Sequence, residues 1–281
     1  MPETLLWTLH QRATEAARPD AVILDPVAVD LVARIDFPFA ERFGAGGLGQ
    51  WQALRARAFD GQVRRFLAAS PGATVVALGE GLETGFWRVD DGTVRWLGVD
   101  LPEAVDLRRR LLPPSRRRRD VPCSATDPAW MDEVDPARPV LITAQGLLMY
   151  LEPVEVHGLL AAAGARFPGA PFVFDAVPRW LAERTRRGQV VTREGYRPPP
   201  WRWALDRAEE RRLRDLLDGL RAVSPPRGRG VVHGALLPLA ARVPPLRRLA
   251  LSVLRGRLVS PPSRLPPAGG SRGRRRRPPG R

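Results

Sequence analysis

Lysine and asparagine are absent from this 281-residue chain, and isoleucine occurs only three times. All three depend on A/T-rich codons, so their shortage marks a very GC-rich genome. All 45 basic residues are therefore arginine, and part of that surplus is coding bias. A single cysteine, Cys123, excludes a disulfide framework and a cysteine-built zinc site. The three histidines, His10, His157 and His233, share no metal-ligand spacing, so no metal is expected. No apolar run approaches the ~18 residues of a membrane helix. The N-terminus, MPETLLWTLHQRATEAARPD, lacks a basic-then-apolar signal layout, which points to the cytoplasm and away from a membrane. No GxxxxGK[ST] phosphate loop occurs, which disfavours ATP and GTP. Acidic residues are missing beyond Asp218, and the arginines of residues 219–281 account for the whole net charge of +15. That tail reads first as a solvated extension. A nucleic-acid arm is the disfavoured alternative.

What is present suits one folded core, with 44% hydrophobic and 27% charged residues. Residues 1–70 read as a helical N-terminal part: a helix over 3–17, a second opened by Asp25 as N-cap and Pro26 at its first position, a glycine-rich loop from Gly44 to Gly49, and a long helix over 51–69. From Ala73 the pattern alternates. Apolar strands at 73–78, 94–99, 121–124, 140–144 and 171–174 are interleaved with helices at 102–112 and 154–166. That alternation predicts a doubly wound, mostly parallel α/β sheet with helices on both faces over residues 71–222. Residues 203–222 read as one helix, residues 223–261 as a poorly specified Pro/Arg-rich part, and residues 262–281 as a disordered basic tail.

The stretch VVALGEGLETGFWRVDDGTVRWLGVDLPE, residues 75–103, carries the chemistry. A strand runs into Gly79-Glu80-Gly81, and a second strand ends on Asp100. The glycines let the backbone approach a ligand, and a strand-end carboxylate can accept from both ribose hydroxyls. A dinucleotide fingerprint would place a third glycine at position 84, where this chain has Thr84, so a nicotinamide oxidoreductase is disfavoured. A cofactor without a pyrophosphate fits better, and S-adenosylmethionine is such a cofactor.

Five ordered blocks sharpen the reading: GEGLETGFWRV, GVDLPE, TDPAWMDEV, ITAQGLLMYLEPVEV and FPGAPFVFD. With DPVAVDLV near the start, they resemble the leucine carboxyl methyltransferase family, and within it the bacterial branch of tetracenomycin-type polyketide O-methyltransferases. The resemblance spans about residues 3–180 and implies a seven-stranded, Rossmann-like methyltransferase sheet whose N-terminal helical cap serves as a lid over substrate and cofactor. It implies S-adenosylmethionine-dependent methyl transfer to a carboxyl or hydroxyl oxygen of a small-molecule acceptor in secondary metabolism. It also implies a set of cofactor contacts: Arg55 (or Arg57, if the register is shifted) for the methionine carboxylate, Gly79, Glu80 and Gly81 under the methionine and ribose, Asp100 and Leu101 at the ribose, Ser124 and Ala125 at the adenine, and Gln145 at the fourth strand end. No Ser/His/Asp constellation is visible. His10 and Tyr150 are the weak catalytic candidates, and Trp201 and Trp203 either line a substrate pocket or pack on the sheet. Two departures stand out. Glu83-Thr84-Gly85 replaces the usual Asp-Thr-Arg, and Gln145 replaces a glutamate. The second change suggests weaker holding of a cationic cofactor, relieved by Gln145→Glu. It also motivates the alternative of a degenerate methyltransferase-fold binding protein with a nucleic-acid-binding tail.

Overall fold

The computed structural model describes residues 3–192, 194–236, 239 and 251–260. The expected basic tail, residues 262–281, lies outside them. Four helices form the N-terminal part: α1 (Glu3–Ala16), α2 (Pro26–Arg34), α3 (Phe39–Phe43) and α4 (Gly49–Ala69). Asp25 caps α2 as its sequence position predicts, accepting from the Ala28 amide at 3.1 Å, with Pro26 at the first helical position. Leu6, Leu9 and Ala13 of α1 pack with Leu31 of α2 and Phe39 and Phe43 of α3 in a cluster of their own.

The core alternates strands and helices: β1 (Thr74–Leu78), α5 (Gly85–Val89), β2 (Arg95–Asp100), α6 (Pro102–Leu111), β3 (Arg118–Pro122), β4 (Val140–Ala144), α7 (Pro153–Arg166) and β5 (Pro171–Ala176). After α8 (Arg179–Arg186) and α9 (Arg207–Leu216) come β6 (Leu217–Ala222) and β7 (Ser252–Leu258). The sheet order is β3-β2-β1-β4-β5-β7-β6. β1 to β5 run parallel, while β7 is antiparallel to both β5 and β6. β1 and β4 are buried at every position, which is what a strand covered by helices on both faces requires.

The register positions the site. Leu78 lies opposite Val99 on one side and Ala144 on the other, and Ala144 lies opposite Phe174. The next residue of each strand is then Gly79, Asp100, Gln145 and Asp175. These four leave the carboxyl edge of the sheet side by side, at the point where the strand order turns from β1 outward in two directions. Ligands of open α/β sheets bind at that switch point.

Two expectations at the C-terminal end are corrected. The helix expected over 203–222 stops at Leu216, and the same amphipathic run continues as β6, with Leu217 and Leu220 buried and Gly219 at φ +59° in an irregular stretch of pairing. The segment read as poorly specified contains β7, whose Leu254 and Leu258 complete the core. Helical periodicity lost here to pairing with a strand more than thirty residues away, a tertiary effect that local propensity cannot report. No described helix is long and apolar enough to cross a membrane.

Candidate active site

Above the row of strand ends opens a cavity of about 1050 Å³, walled by the loops after β1, β2 and β4 on one side and by α1, α4 and the 190–201 segment on the other. Gly79 (φ +59°) and Gly81 (φ +51°) both sit in the left-handed region. A Cβ on Gly79 would lie 2.7 Å from Leu147 Cδ1, and one on Gly81 would run into the Leu5 side chain. Only glycine keeps this floor open. The Gly81 amide donates to Asp100 Oδ2 at 2.6 Å and the Leu101 amide to Oδ1 at 2.8 Å. The carboxylate is thus braced from behind, and each oxygen keeps acceptor capacity toward the cavity. Burial pushes the Asp100 carboxyl above its usual range, against the pull of those two amides.

Arg55 of α4 reaches the same row. Its Nη1 donates to Asp175 Oδ2 at 2.9 Å, its guanidinium lies 5.4 Å from the Trp51 ring centre, and its buried Nε has no hydrogen-bond partner. Arg57 is exposed and faces away, so the alternative register fails. A glycine cradle, a braced acid with spare lone pairs and a cation with an unused buried N–H fit S-adenosylmethionine: along the sheet edge the acid at the end of β2 would meet the ribose, the glycines after β1 would form the floor, and Arg55, seated at the end of β5, would meet the carboxylate.

The sequence profile of the leucine carboxyl methyltransferase family matches residues 6–164. The chain belongs to this family. The tetracenomycin polyketide synthesis O-methyltransferase TcmP of Streptomyces glaucescens is 34% identical over 220 residues, covering 78% of this chain and 80% of TcmP. The S-adenosyl-L-methionine-dependent methyltransferase dpfgK of Gibberella zeae is 33% identical over 176 residues, covering 56% of this chain and 58% of its own. Among solved structures, the S-adenosylmethionine-dependent methyltransferase SibL shares the fold at a TM-score of 0.53 and 15% identity, over 92% of this chain and 76% of SibL.

Within this family site several residues fall where the sequence alone did not put them. Glu80 lines the cavity as part of the glycine loop, but its carboxylate is engaged beneath it, accepting from Trp96 Nε1 at 2.9 Å and pairing with Arg108 at 2.7 Å. Ser124 and Ala125 do not line the cavity. The Ser124 hydroxyl is held by Thr126 at 2.8 Å, and the Ala125 carbonyl accepts from Trp130 Nε1 at 3.1 Å. His10 lies inside the cap and off the cavity lining, with Nε2 2.8 Å from the Gly44 carbonyl and its ring stacked on Phe39. Tyr150 does face the cavity, but burial pushes its hydroxyl up to about 12, so it is no base at neutral pH. The two tryptophans part company: Trp203 is core, its Nε1 donating to Glu209 at 2.7 Å, while Trp201 forms cavity wall. Sequence reasoning missed Arg12, Asp175 and the aromatic wall of Trp7 stacked on Tyr196 at 5.6 Å. The family resemblance pointed to α1 only as a cover over the site and not to these side chains.

Gln145 has an unexpected partner: its Nε2 donates to Glu83 Oε2 at 2.8 Å. Glu83 in turn pairs with Arg12 at 3.0 Å and Arg88 at 2.8 Å. Gln145 thus spends its amide on the Glu83 carboxylate, a hydrogen bond that a glutamate at position 145 could not donate. Gln145→Glu is therefore expected to weaken cofactor binding rather than tighten it, because two carboxylates in contact cannot both stay ionised. Affinity for S-adenosylmethionine should drop about tenfold from the lost bond and the repulsion. A tighter complex, measured by calorimetry, would return the role to position 145 itself.

Proposed function

We propose that this protein methylates an oxygen of a small, largely apolar acceptor of polyketide type, using S-adenosylmethionine held along the row Gly79, Gly81, Asp100 and Arg55. The observation that carries the reading is that row, glycine floor and braced acid together, beneath a cavity with space left for a second molecule. At about 1050 Å³ the cavity sits at the upper end of small-molecule sites, which run from roughly 300 to 1,000 Å³. The space away from the row is walled by Trp7, Trp51, Tyr150, Tyr196 and Trp201, which suits a flat aromatic skeleton.

The cofactor brings a methyl group on a cationic sulfur, a good leaving group. The chain's part is positioning and exclusion of water. Asp100 orients the ribose, Arg55 orients the carboxylate, and α1 with the 190–201 segment closes the cavity. Tyr150 is unsuited to take a proton, and the imidazole on the wall, His233, has its Nδ1 3.1 Å from the Gln50 amide nitrogen. An acceptor that arrives ionised needs no base, so a carboxylate suits this wall better than a phenol. The rate with a carboxylate acceptor should then stay flat between about pH 6 and 9, well above the usual carboxyl range. The test is incubation with methyl-labelled cofactor and matched aromatic acids and phenols, reading ester against ether. Exclusive ether formation with a rising pH profile would overturn the carboxylate preference. Failure to bind S-adenosylhomocysteine would overturn the whole reading. The alternative of a degenerate binder draws its main support from Gln145; the hydrogen bond of that residue to Glu83, beside an intact glycine floor and Asp100, supports the enzyme reading instead.

A further inference from the structure

Asp175 closes the row at the end of β5 and is 3% exposed. Its two oxygens are divided between two other elements. Oδ1 accepts from the Gly146 amide at 2.6 Å, in the loop after β4, and Oδ2 accepts from Arg55 Nη1 of α4 at 2.9 Å. Gly146 stands at φ +70°, and a Cβ there would lie 3.1 Å from Arg55 Nη1, so the guanidinium is seated against bare backbone. An arginine side chain has several soft torsions, and fixing it costs rotamer entropy unless something else has fixed it already. One carboxylate that holds the guanidinium and the neighbouring loop does this before any ligand arrives.

We propose that Asp175 is a positioning residue for the amino-acid end of the cofactor: it acts through Arg55, aiming the guanidinium so that its remaining N–H groups meet the carboxylate. This rests on the reading that Arg55 receives that carboxylate. Because the ion pair uses one N–H of the guanidinium, the others stay available, and the fork geometry of arginine allows both partners at once. A point mutation here should be felt by ligands that carry the amino acid and not by those that lack it.

The test compares S-adenosylhomocysteine with methylthioadenosine, the same nucleoside thioether without the amino-acid part, by calorimetry on the full chain. Asp175→Ala should lose about tenfold or more in affinity for S-adenosylhomocysteine, the scale of one charge-assisted hydrogen bond, and change little for methylthioadenosine. Arg55→Ala should show the same selective loss, and the double variant should fall no further than Arg55→Ala alone, since the two act as one unit. Equal losses for both ligands would mean that Asp175 only holds the fold, and additive losses that it does not act through Arg55; either overturns the proposal. If wild type holds the two ligands equally, or Arg55→Ala loses nothing selectively, the reading of Arg55 fails and this one with it. Asp175→Asn, which keeps an oxygen for one partner but no charge, decides by the same ratio should the alanine variant not fold.

Discussion

Asp100→Ala is expected to abolish measurable cofactor binding. The carboxylate faces the cavity with one spare lone pair per oxygen, and two ribose hydroxyls would take them. Hydrogen bonds to a charged group are worth about 1.5–3 kcal/mol each, so losing both predicts a drop of roughly 10²- to 10⁴-fold. The variant also strips the acceptor from the Gly81 and Leu101 amides and so loosens the floor itself. Titration with S-adenosylhomocysteine measures this, and an affinity within about threefold of wild type would remove Asp100 from the site. The same residue gives a pH dependence. Burial raises its carboxyl in the unliganded protein, so that protein gains stability by protonating it and loses this contribution as pH rises through the raised value. The protonated acid has lost one acceptor position. Cofactor affinity should therefore decline on acidification, starting above the ordinary aspartate range, and Asp100→Asn should flatten that decline.

Arg88→Met should be among the most destabilising single changes in the chain. Arg88 of α5 is buried and pairs with Asp25 at 2.8 Å, Asp60 at 2.9 Å and Glu83 at 2.8 Å. Arg12 of α1 joins the same cluster through Asp25 at 2.8 Å. The group ties α1, α2, α4 and the loop after β1 together, so the N-terminal helices and the glycine floor share one set of ion pairs. Removing one partner of a buried pair costs about 3–5 kcal/mol, because the others stay behind uncompensated. For a domain of this size that is on the order of a 10 °C drop in melting temperature. Glu83 reports the same coupling by its titration. Burial alone would raise its carboxyl, but Arg12 and Arg88 outweigh burial and lower it from 4.5 to about 2. The stability its ionised form adds is whole above about pH 4.5 and is lost as pH falls towards 2. Arg88→Met should raise that carboxyl and so shrink the loss, which an acid titration of the melting temperature would show. A variant that melts within about 2 °C of wild type would mean the network is not what fastens the cap.

Much of the site was legible because its parts are local. The strand, the two glycines and the strand-end acid of residues 75–100 are neighbours in sequence, and each is demanded by backbone geometry at one point. The cap at Asp25 is equally local. Arg55 was legible only through the family resemblance, since in an arginine-rich chain one more arginine on a helix is no signal. Ser124 and Ala125 were carried over by the same route, and they are not among the residues that line the cavity, the Ser124 hydroxyl meeting Thr126 and the Ala125 carbonyl meeting Trp130.

The sequence by itself determined the parallel core, the glycine floor and the acid at the end of β2, because period, strand-ending residues and glycine placement are written along the chain. The tertiary structure decided the rest. It set Gln145 against Glu83, placed Asp175 behind Arg55, joined Arg12 to the cofactor loop, stacked Trp7 on Tyr196 and turned the end of a helical pattern into β6 against β7. Each of these is a contact between elements distant in sequence. Its energy depends on register and burial, and neither exists until the sheet has assembled.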